Sequence, residues 1–465
     1  MAILAVDFGS TFTKGVLLAD DGSVLGTAAT VTTGTPVMQG ERAVRVRRGD
    51  ILDGYATLRS MLEAPDDAEV HACSSAGGGL RLAVVGYERT VTAQAGHRVG
   101  LSAGAKVVHV AAGELTSAGV AELRAARPDM VLLVGGTDGG NSDVLLHNAS
   151  RLAKAAIGGH GDHAVPIVVA GNVAARDEAA EMLEATGRPV VPADNVLPQI
   201  GVIAPDSARA AIRGAFLRHV IGGKGLSRDP AFSAMVEAAT PDAVLRGVEV
   251  LASVEGGGDV LVVDIGGATT DVYSCLTPEG EDATLRKDVV APLWHARTVE
   301  GDLGMRWNAQ HVIEAAETEH LLGVGTGLGT DADALRAYAA RVHERPASLP
   351  LDEGERHLDL ELARLAALVA VRRHARPAQP TESPRPLANV TTLIGSGGVL
   401  RHTDPAGRAH VLGALLADHA GGWKVPRAAS ATVDTAYLLF AVGLLADRAP
   451  ELARALAAQV TSHPT

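Results

Sequence analysis

Two apolar runs, far apart in the chain, end in the same way. Leu4, Ala5 and Val6 lead into Asp7, then Gly9, the hydroxyl residues Ser10, Thr11 and Thr13, and Lys14. Val260 to Val263 lead into Asp264, then Gly266, Gly267, Thr269, Thr270 and Asp271. An apolar run of this length reads as a buried strand, and glycine followed by hydroxyls reads as a tight turn. The two strings overlay with a constant offset of 257 residues, which puts Asp7 on Asp264, Gly9 on Gly266 and Thr13 on Thr270. They read as two copies of one phosphate-binding hairpin.

The pattern around the first copy predicts an antiparallel meander. A second strand over 14–18 and a third over 23–33 are joined by the turn residues Asp20, Asp21 and Gly22. A helix over 54–64 and a strand over 69–74 follow, the latter entering the triple glycine Gly77 to Gly79. From about residue 90 the period changes. Strands over 106–111, 130–134, 166–170 and 189–192 alternate with helices over 114–126, 142–156 and 174–186, the pattern of a doubly wound parallel sheet. Its loop Gly135-Gly136-Thr137-Asp138-Gly139-Gly140 falls at a strand's carboxyl end, where open α/β sheets bind ligands. The same glycines would also serve the strand-to-helix turn, and both readings stay open.

A helix over 205–220 carries Arg209, Arg213 and Arg218, read as a solvated face. Gly222-Gly223-Lys224-Gly225 lacks the upstream glycine spacing and the following hydroxyl of a Walker loop, and no apolar strand feeds Gly100-Leu101-Ser102-Ala103-Gly104. After the second hairpin the pattern predicts a turn at Pro278-Glu279-Gly280. The stretch Arg297 to Arg306 then enters a helix running to about 318, with Asp302 either its cap or a ligand-orienting acid. A glycine-spaced turn over 323–329, helices over 331–344 and 358–374 (the second amphipathic) and a proline-rich exposed loop over 376–386 follow. A strand over 391–394 runs into Gly395-Ser396-Gly397-Gly398, a string that lets a flat or anionic group approach the backbone. The final helix is read over 436–446.

Composition narrows the classes. At 465 residues the chain exceeds one ordinary core, and 47% hydrophobic with 20% charged residues is the balance of a globular protein. A net charge of −13 and a 3% aromatic content argue against a nucleic-acid backbone or a stacking groove as the main partner. Two cysteines, Cys73 and Cys275, cannot supply a four-cysteine zinc or iron–sulfur site within one chain, and read as reduced thiols of a cytoplasmic protein. A signal peptide and a membrane span are not expected.

The candidate chemistry is nucleotide phosphate binding. Glycines at 9, 266 and 267 let backbone N–H groups face a phosphate, the hydroxyls of Ser10, Thr11, Thr13, Thr269 and Thr270 add donors, and Lys14 adds charge. Asp7 and Asp264 would repel phosphate without a cation, so magnesium held through water is expected at both.

These strings resemble the superfamily of actin, sugar kinases and heat-shock chaperone ATPases. Asp7–Lys14 resembles its first phosphate motif, Asp264–Asp271 its second, Ile394–Val399 (with Gly395, Ser396, Gly397 and Gly398) its adenosine motif, and the helix over 436–446 its connecting helix. The resemblance implies an α/β fold of two duplicated ribonuclease-H-like lobes with an inserted α/β region and ATP bound in the cleft. The expected division is 1–90 for the first part of one lobe, 91–220 for the α/β region and 221–465 for the other lobe. Over its whole length the chain is most similar to the glutamate mutase accessory protein L family, also labelled MutL or GlmL, through Val6–Lys14, Ala193-Asp194-Asn195-Val196-Leu197-Pro198, Arg297–Arg306 and Leu393–Val399.

That family implies an ATP-dependent accessory protein, a reactivating chaperone, for an adenosylcobalamin-dependent carbon-skeleton mutase such as methylaspartate mutase. In that reading Asp7 and Asp264 hold magnesium-bound water, and Asp264 and Asp271 are candidates to position the attacking water. Two alternatives remain: a small-molecule kinase of the same superfold, or a nucleotide-sensing scaffold without turnover. A reductive activator is excluded on cysteine count, unless two subunits of a dimer share Cys73 or Cys275 as ligands.

Overall fold

The structure, a computed structural model, describes residues 2–34, 37–39, 42–44, 49–155, 157, 164–254, 258–277, 294–322, 331–377, 384–419 and 425–461. Two compact units divide the chain: Met1–Arg246 with Gly443–Arg448, and Gly247–Pro278 with Trp294–Val442 and Ala449–Thr465.

The first unit opens with the predicted meander, β1 (Ile3–Phe8), β2 (Phe12–Leu18) and β3 (Val24–Val31). A short ribbon of β4 (Val37–Gln39) and β5 (Arg42–Val44) precedes helix Ile51–Met61, which starts three residues before the sequence pattern because Asp50 caps it through Leu52 N–H. β6 (Glu69–Ser74) pairs parallel to β1.

An all-parallel sheet is then inserted, of β7 (Arg81–Gly86), β8 (Lys106–Ala112), β9 (Met130–Leu133), β10 (Ile167–Val169) and β11 (Val190–Pro192), in the spatial order β11-β10-β9-β7-β8. This is the doubly wound sheet that the alternating pattern predicts. Its first strand was not anticipated: β7 is a short run buried on both faces, with no alternation to mark it. After it, β12 (Val236–Ala239) completes the first sheet in the order β12-β6-β1-β2-β3. One apolar core containing Val6, Phe8, Leu82, Val84, Phe216 and Phe232 serves both sheets.

In the second unit β13 (Val260–Ile265), β14 (Thr270–Cys275), β15 (His295–Glu300), β16 (Thr392–Ser396) and β17 (Ser430–Val433) form a sheet ordered β15-β14-β13-β16-β17. Its pairings repeat those of the first sheet: two antiparallel ladders at the hairpin, then two parallel ones. Even the register is kept. Asp7 pairs with Lys14 and Ile3 with Leu18; 257 residues on, Asp264 pairs with Asp271 and Val260 with Cys275. The fold is a duplicated ribonuclease-H-like repeat, and the parallel sheet is an insertion between the fourth and fifth strands of the first copy.

Several expectations need correction. Helix Glu353–Ala375 is buried all round from Leu362 to Val371, not amphipathic, so its charged residues need partners: Arg364 binds Glu361 and Arg372 binds Asp418. The arginines of helix Asp206–Ala215 are not a solvated face. Arg209 is buried, and Arg213 Nε lies 2.5 Å from the buried carboxylate of Asp242; Arg218, beyond that helix in the turn Phe216–Val220, is exposed. Helix Leu439–Leu445 starts later than predicted, with Asp434 accepting from Leu438 and Leu439 N–H, and it is not final, because Pro450–Thr461 follows. Part of the proline-rich stretch is held to the long helix, Arg385 donating to the His374 and Ala375 carbonyls; 378–383 lie outside the described residues, as do the turns expected at 278–280 and 323–329. Among the described residues no helix is long and apolar enough to cross a membrane.

Candidate functional site

Each hairpin closes on a glycine. Gly9 N–H donates to Phe12 O (3.1 Å), and a Cβ on Gly9 would stand 2.6 Å from that oxygen. At the equivalent place Gly266 N–H donates to Thr269 O (2.9 Å), and a Cβ would meet it at 2.8 Å. Only glycine fits so tight a turn, which is why both strings carry it. Ser10 and Thr11 are exposed at the first turn, and Gly267 and Thr269 are partly exposed at the second. Thr13 and Thr270 are fully buried beneath the turns. Thr13 Oγ1 is 3.0 Å from Thr32 Oγ1, which donates to Gly9 O, and Thr270 Oγ1 donates to Leu303 O. In this conformation both hydroxyls are engaged inside the protein, where the sequence reading has them as donors to phosphate.

Asp7 sits at the end of β1, 1% exposed. Its Oδ1 accepts from Thr240 Oγ1 (2.6 Å) and from Cys73 Sγ (3.7 Å), and its Oδ2 lies 3.8 Å from Lys14 Nζ. Burial, together with the neighbouring carboxylate, pushes the Cys73 thiol well above its ordinary range and keeps it an S–H donor. Asp264 is half-buried on β13, in register with Asp271 on one side and Ser396 on the other. Asp271 Oδ1 receives both Nε and Nη2 of Arg297 (2.9 and 2.6 Å), and its Oδ2 accepts from Thr269 Oγ1 (3.0 Å). Burial would lower the Arg297 guanidinium, but Asp271 outweighs it and holds the value above normal.

The stretch after β15 forms a clamp on the second turn. Met305 N–H donates to Gly266 O, Arg306 and Trp307 N–H to Gly267 O, and Asn308 Nδ2 to Ala268 O. Gly304 lies so close to the Ala268 backbone that a Cβ would come within 2.3 Å of its carbonyl carbon. The helix starts only at Ala309 with Asn308 before it, so Asp302 is not its cap; Asp302 and Glu300 bind Arg373 instead. The acid and glycine spacing was visible in the sequence, but the clamp acts through backbone N–H groups, which leave no residue signature.

In the third loop the four residues divide their tasks. A Cβ on Gly395 would meet Leu400 and Leu412 in the core, Ser396 is buried, and Gly397 (φ 106°) packs against Ile265 O. Gly398 alone is open, with nothing within 4 Å of its Cβ position. The glycine loop of the inserted sheet is pinned by two buried asparagines. Asn195 Nδ2 donates to Gly136 O (2.9 Å) and Asp138 Oδ1 (2.8 Å), and Asn172 bonds Gly139 N–H and Gly140 O. That gives the string around Asn195 a structural task.

Among the described residues no three His, Cys, Asp or Glu gather to hold a metal ion. One carboxylate per hairpin fits magnesium, which takes most of its oxygens from water and phosphate.

Two copies of one five-stranded repeat, each led by a glycine turn behind an aspartate, define the class: a duplicated ribonuclease-H-like, actin-like fold. Within it the chain belongs to the MutL protein family, whose profile matches residues 3–461. It is 35% identical over 473 residues to Protein MutL of Clostridium tetanomorphum, covering 97% of each chain. Distant likenesses among solved structures include an ATP-dependent caprolactamase from Pseudomonas jessenii (15% identity, 95% of this chain and 70% of that one, TM-score 0.36). Another is a ROK family glucokinase from Streptomyces griseus in complex with glucose and AMPPNP (14% identity, 99% and 100%, TM-score 0.31).

Proposed function

We propose that this protein binds and hydrolyses magnesium ATP, and that it serves in the cytoplasm as a reactivating accessory protein for an adenosylcobalamin-dependent carbon-skeleton mutase such as methylaspartate (glutamate) mutase. The observation that carries the reading is the shared register of the two hairpins, with Asp7 and Asp264 at equivalent strand ends. The likeness to the accessory protein L family supplies the mutase.

In this reading the exposed Ser10 and Thr11 and the backbone of both turns donate to phosphate oxygens, and Lys14 neutralises phosphate charge. Asp7 and Asp264 would hold magnesium through water, and the ion would supply neutralising charge to the phosphoryl oxygens. Asp271, fixed by Arg297, offers an oriented acceptor for the attacking water, and Gly398 leaves its backbone open to the adenosine. Thr13, Thr270, Gly395, Ser396 and Gly397 support these surfaces.

The test is magnesium-dependent ATP hydrolysis by the pure protein, with and without a mutase that has been inactivated during turnover. Hydrolysis stimulated by the mutase, together with recovered mutase activity, is the expected result. ATP turnover that appears only with an added metabolite would instead mark a small-molecule kinase, and binding without turnover a nucleotide-sensing scaffold.

A further inference from the structure

The functional reading leaves Thr240 without a role, although it makes the shortest described contact to Asp7. Helix Thr240–Ser253 begins directly after β12, and Thr240 is buried. Its hydroxyl donates to Asp7 Oδ1 at 2.6 Å, and Cys73 Sγ approaches the same oxygen at 3.7 Å. The other oxygen, Oδ2, is turned toward the hairpin: it lies 3.8 Å from Lys14 Nζ and from the Cβ position of Gly9. One carboxylate oxygen is thus held by Thr240 and Cys73, while the other lies beside Lys14 and Gly9 of the hairpin.

What fixes Thr240 is equally specific. Two residues on, the 2%-exposed Asp242 accepts from Arg213 Nε at 2.5 Å and lies 3.8 Å from Arg209 Nη2, both on helix Asp206–Ala215. Gly104, at the end of helix Thr92–Ser102, abuts the Asp242 backbone so closely that a Cβ would stand 2.7 Å from its N. Thr240-Pro241-Asp242 is therefore a three-residue joint with Asp7 at one end and the helices of the inserted sheet at the other.

We propose that Thr240 is a positioning residue for Asp7: its hydroxyl locks the carboxylate rotamer so that Oδ2 is presented to magnesium-bound water. The inference rests on the reading that Asp7 serves a magnesium nucleotide. Small misplacements of catalytic groups cost up to about 100-fold in rate.

Thr240→Val keeps the shape and removes the donor, whereas Thr240→Ser keeps the donor. The experiment measures kcat and KM for magnesium ATP in the full-length protein. In parallel, calorimetric titration gives the magnesium concentration needed for half-maximal binding of AMPPNP. In Thr240→Val, kcat falls roughly 10- to 100-fold with KM for ATP nearly unchanged, and the magnesium requirement for AMPPNP binding rises roughly tenfold. Thr240→Ser restores both.

Wild-type kcat and magnesium requirement in Thr240→Val would overturn the proposal, as would a Ser variant as impaired as the Val variant. If Thr240→Val does not fold, Thr240→Ala replaces it in the same comparison. A wild-type protein that binds AMPPNP with magnesium but never turns ATP over refutes hydrolysis alone, and the magnesium requirement still decides the role of Thr240. Wild-type protein that binds no nucleotide refutes both.

Discussion

Lys14 and Asp271 occupy the same place in two copies of one hairpin. Each stands directly across the ladder from the leading aspartate, Lys14 from Asp7 and Asp271 from Asp264. Their charges are opposite. Lys14 lies 3.8 Å from Asp7, whereas Asp271 takes its cation, Arg297, from the neighbouring strand. The duplication kept the geometry and divided the chemistry.

In the proposed reading that division separates binding from turnover. Lys14→Met, which removes the positive charge beside Asp7, is expected to raise the KM for ATP about 10- to 100-fold and to lower kcat less. Asp264→Asn, by contrast, abolishes turnover and retains nucleotide binding. Steady-state kinetics paired with AMPPNP titration separates the two; unchanged turnover in Asp264→Asn would remove that residue from the mechanism.

The clamp on the second turn admits no side chain at 304. Gly304→Ala places a Cβ within 2.3 Å of the Ala268 carbonyl carbon, where the contact is backbone and cannot rotate away. Urea unfolding should show a loss of at least about 1–3 kcal/mol. ATP turnover should fall with it, because Ala268 and Gly267 shape the turn. A variant as stable as wild type would mean that the turn yields freely.

Glu361 predicts an acid limb in stability. Burial pushes its carboxyl upward, and hydrogen bonds from Arg364 and then His410 outweigh it, holding the value at about 2 against an ordinary 4.5. A carboxyl lowered on folding stabilises the fold above pH 4.5 and loses that contribution as the pH falls toward 2. Glu361→Gln leaves the Arg364 charge buried and should cost about 3–5 kcal/mol at pH 7. The gap should close as the wild-type carboxyl protonates, which denaturant titrations from pH 7 to 2 would follow. A gap that is constant across this range would contradict the assignment.

Asn195 holds the glycine loop of the inserted sheet with two side-chain hydrogen bonds, to Gly136 O and Asp138 Oδ1, and its Oδ1 accepts a third from Leu197 N–H. Asn195→Ala strands those buried groups at a cost of about 1–3 kcal/mol each, lessened where water enters. Hydrogen exchange should rise in residues 135–140 while the strands stay protected.

Much of this was legible because glycine and hydroxyl codes are local. Asp7-Phe8-Gly9 and Asp264-Ile265-Gly266 announce their turns, and the alternating strands and helices announce the inserted sheet. What was hidden depends on residues distant in sequence. Arg213 looks solvated until Asp242, 29 residues on, folds against it. The partners of Thr13 and Thr270, Thr32 Oγ1 and the Leu303 carbonyl, likewise lie far along the chain. β7 is buried on nearly its whole length and shows no alternation, β12 and β17 have only four residues each, and it is their pairing that identifies all three.

The insertion between β6 and β12 also sets a schedule for biosynthesis. About 160 residues separate Ser74 from Val236. At a translation rate of roughly 5–20 residues per second, the nascent chain carries β6 with one edge unpaired for roughly 10–30 s. An open parallel edge is a template for wrong partners. The inserted sheet can form within that interval, all five of its strands having been made before β12 emerges. The first repeat is therefore closed last by the strand that leads into Thr240, so the ribosome finishes the scaffold before it delivers the residue that seats Asp7.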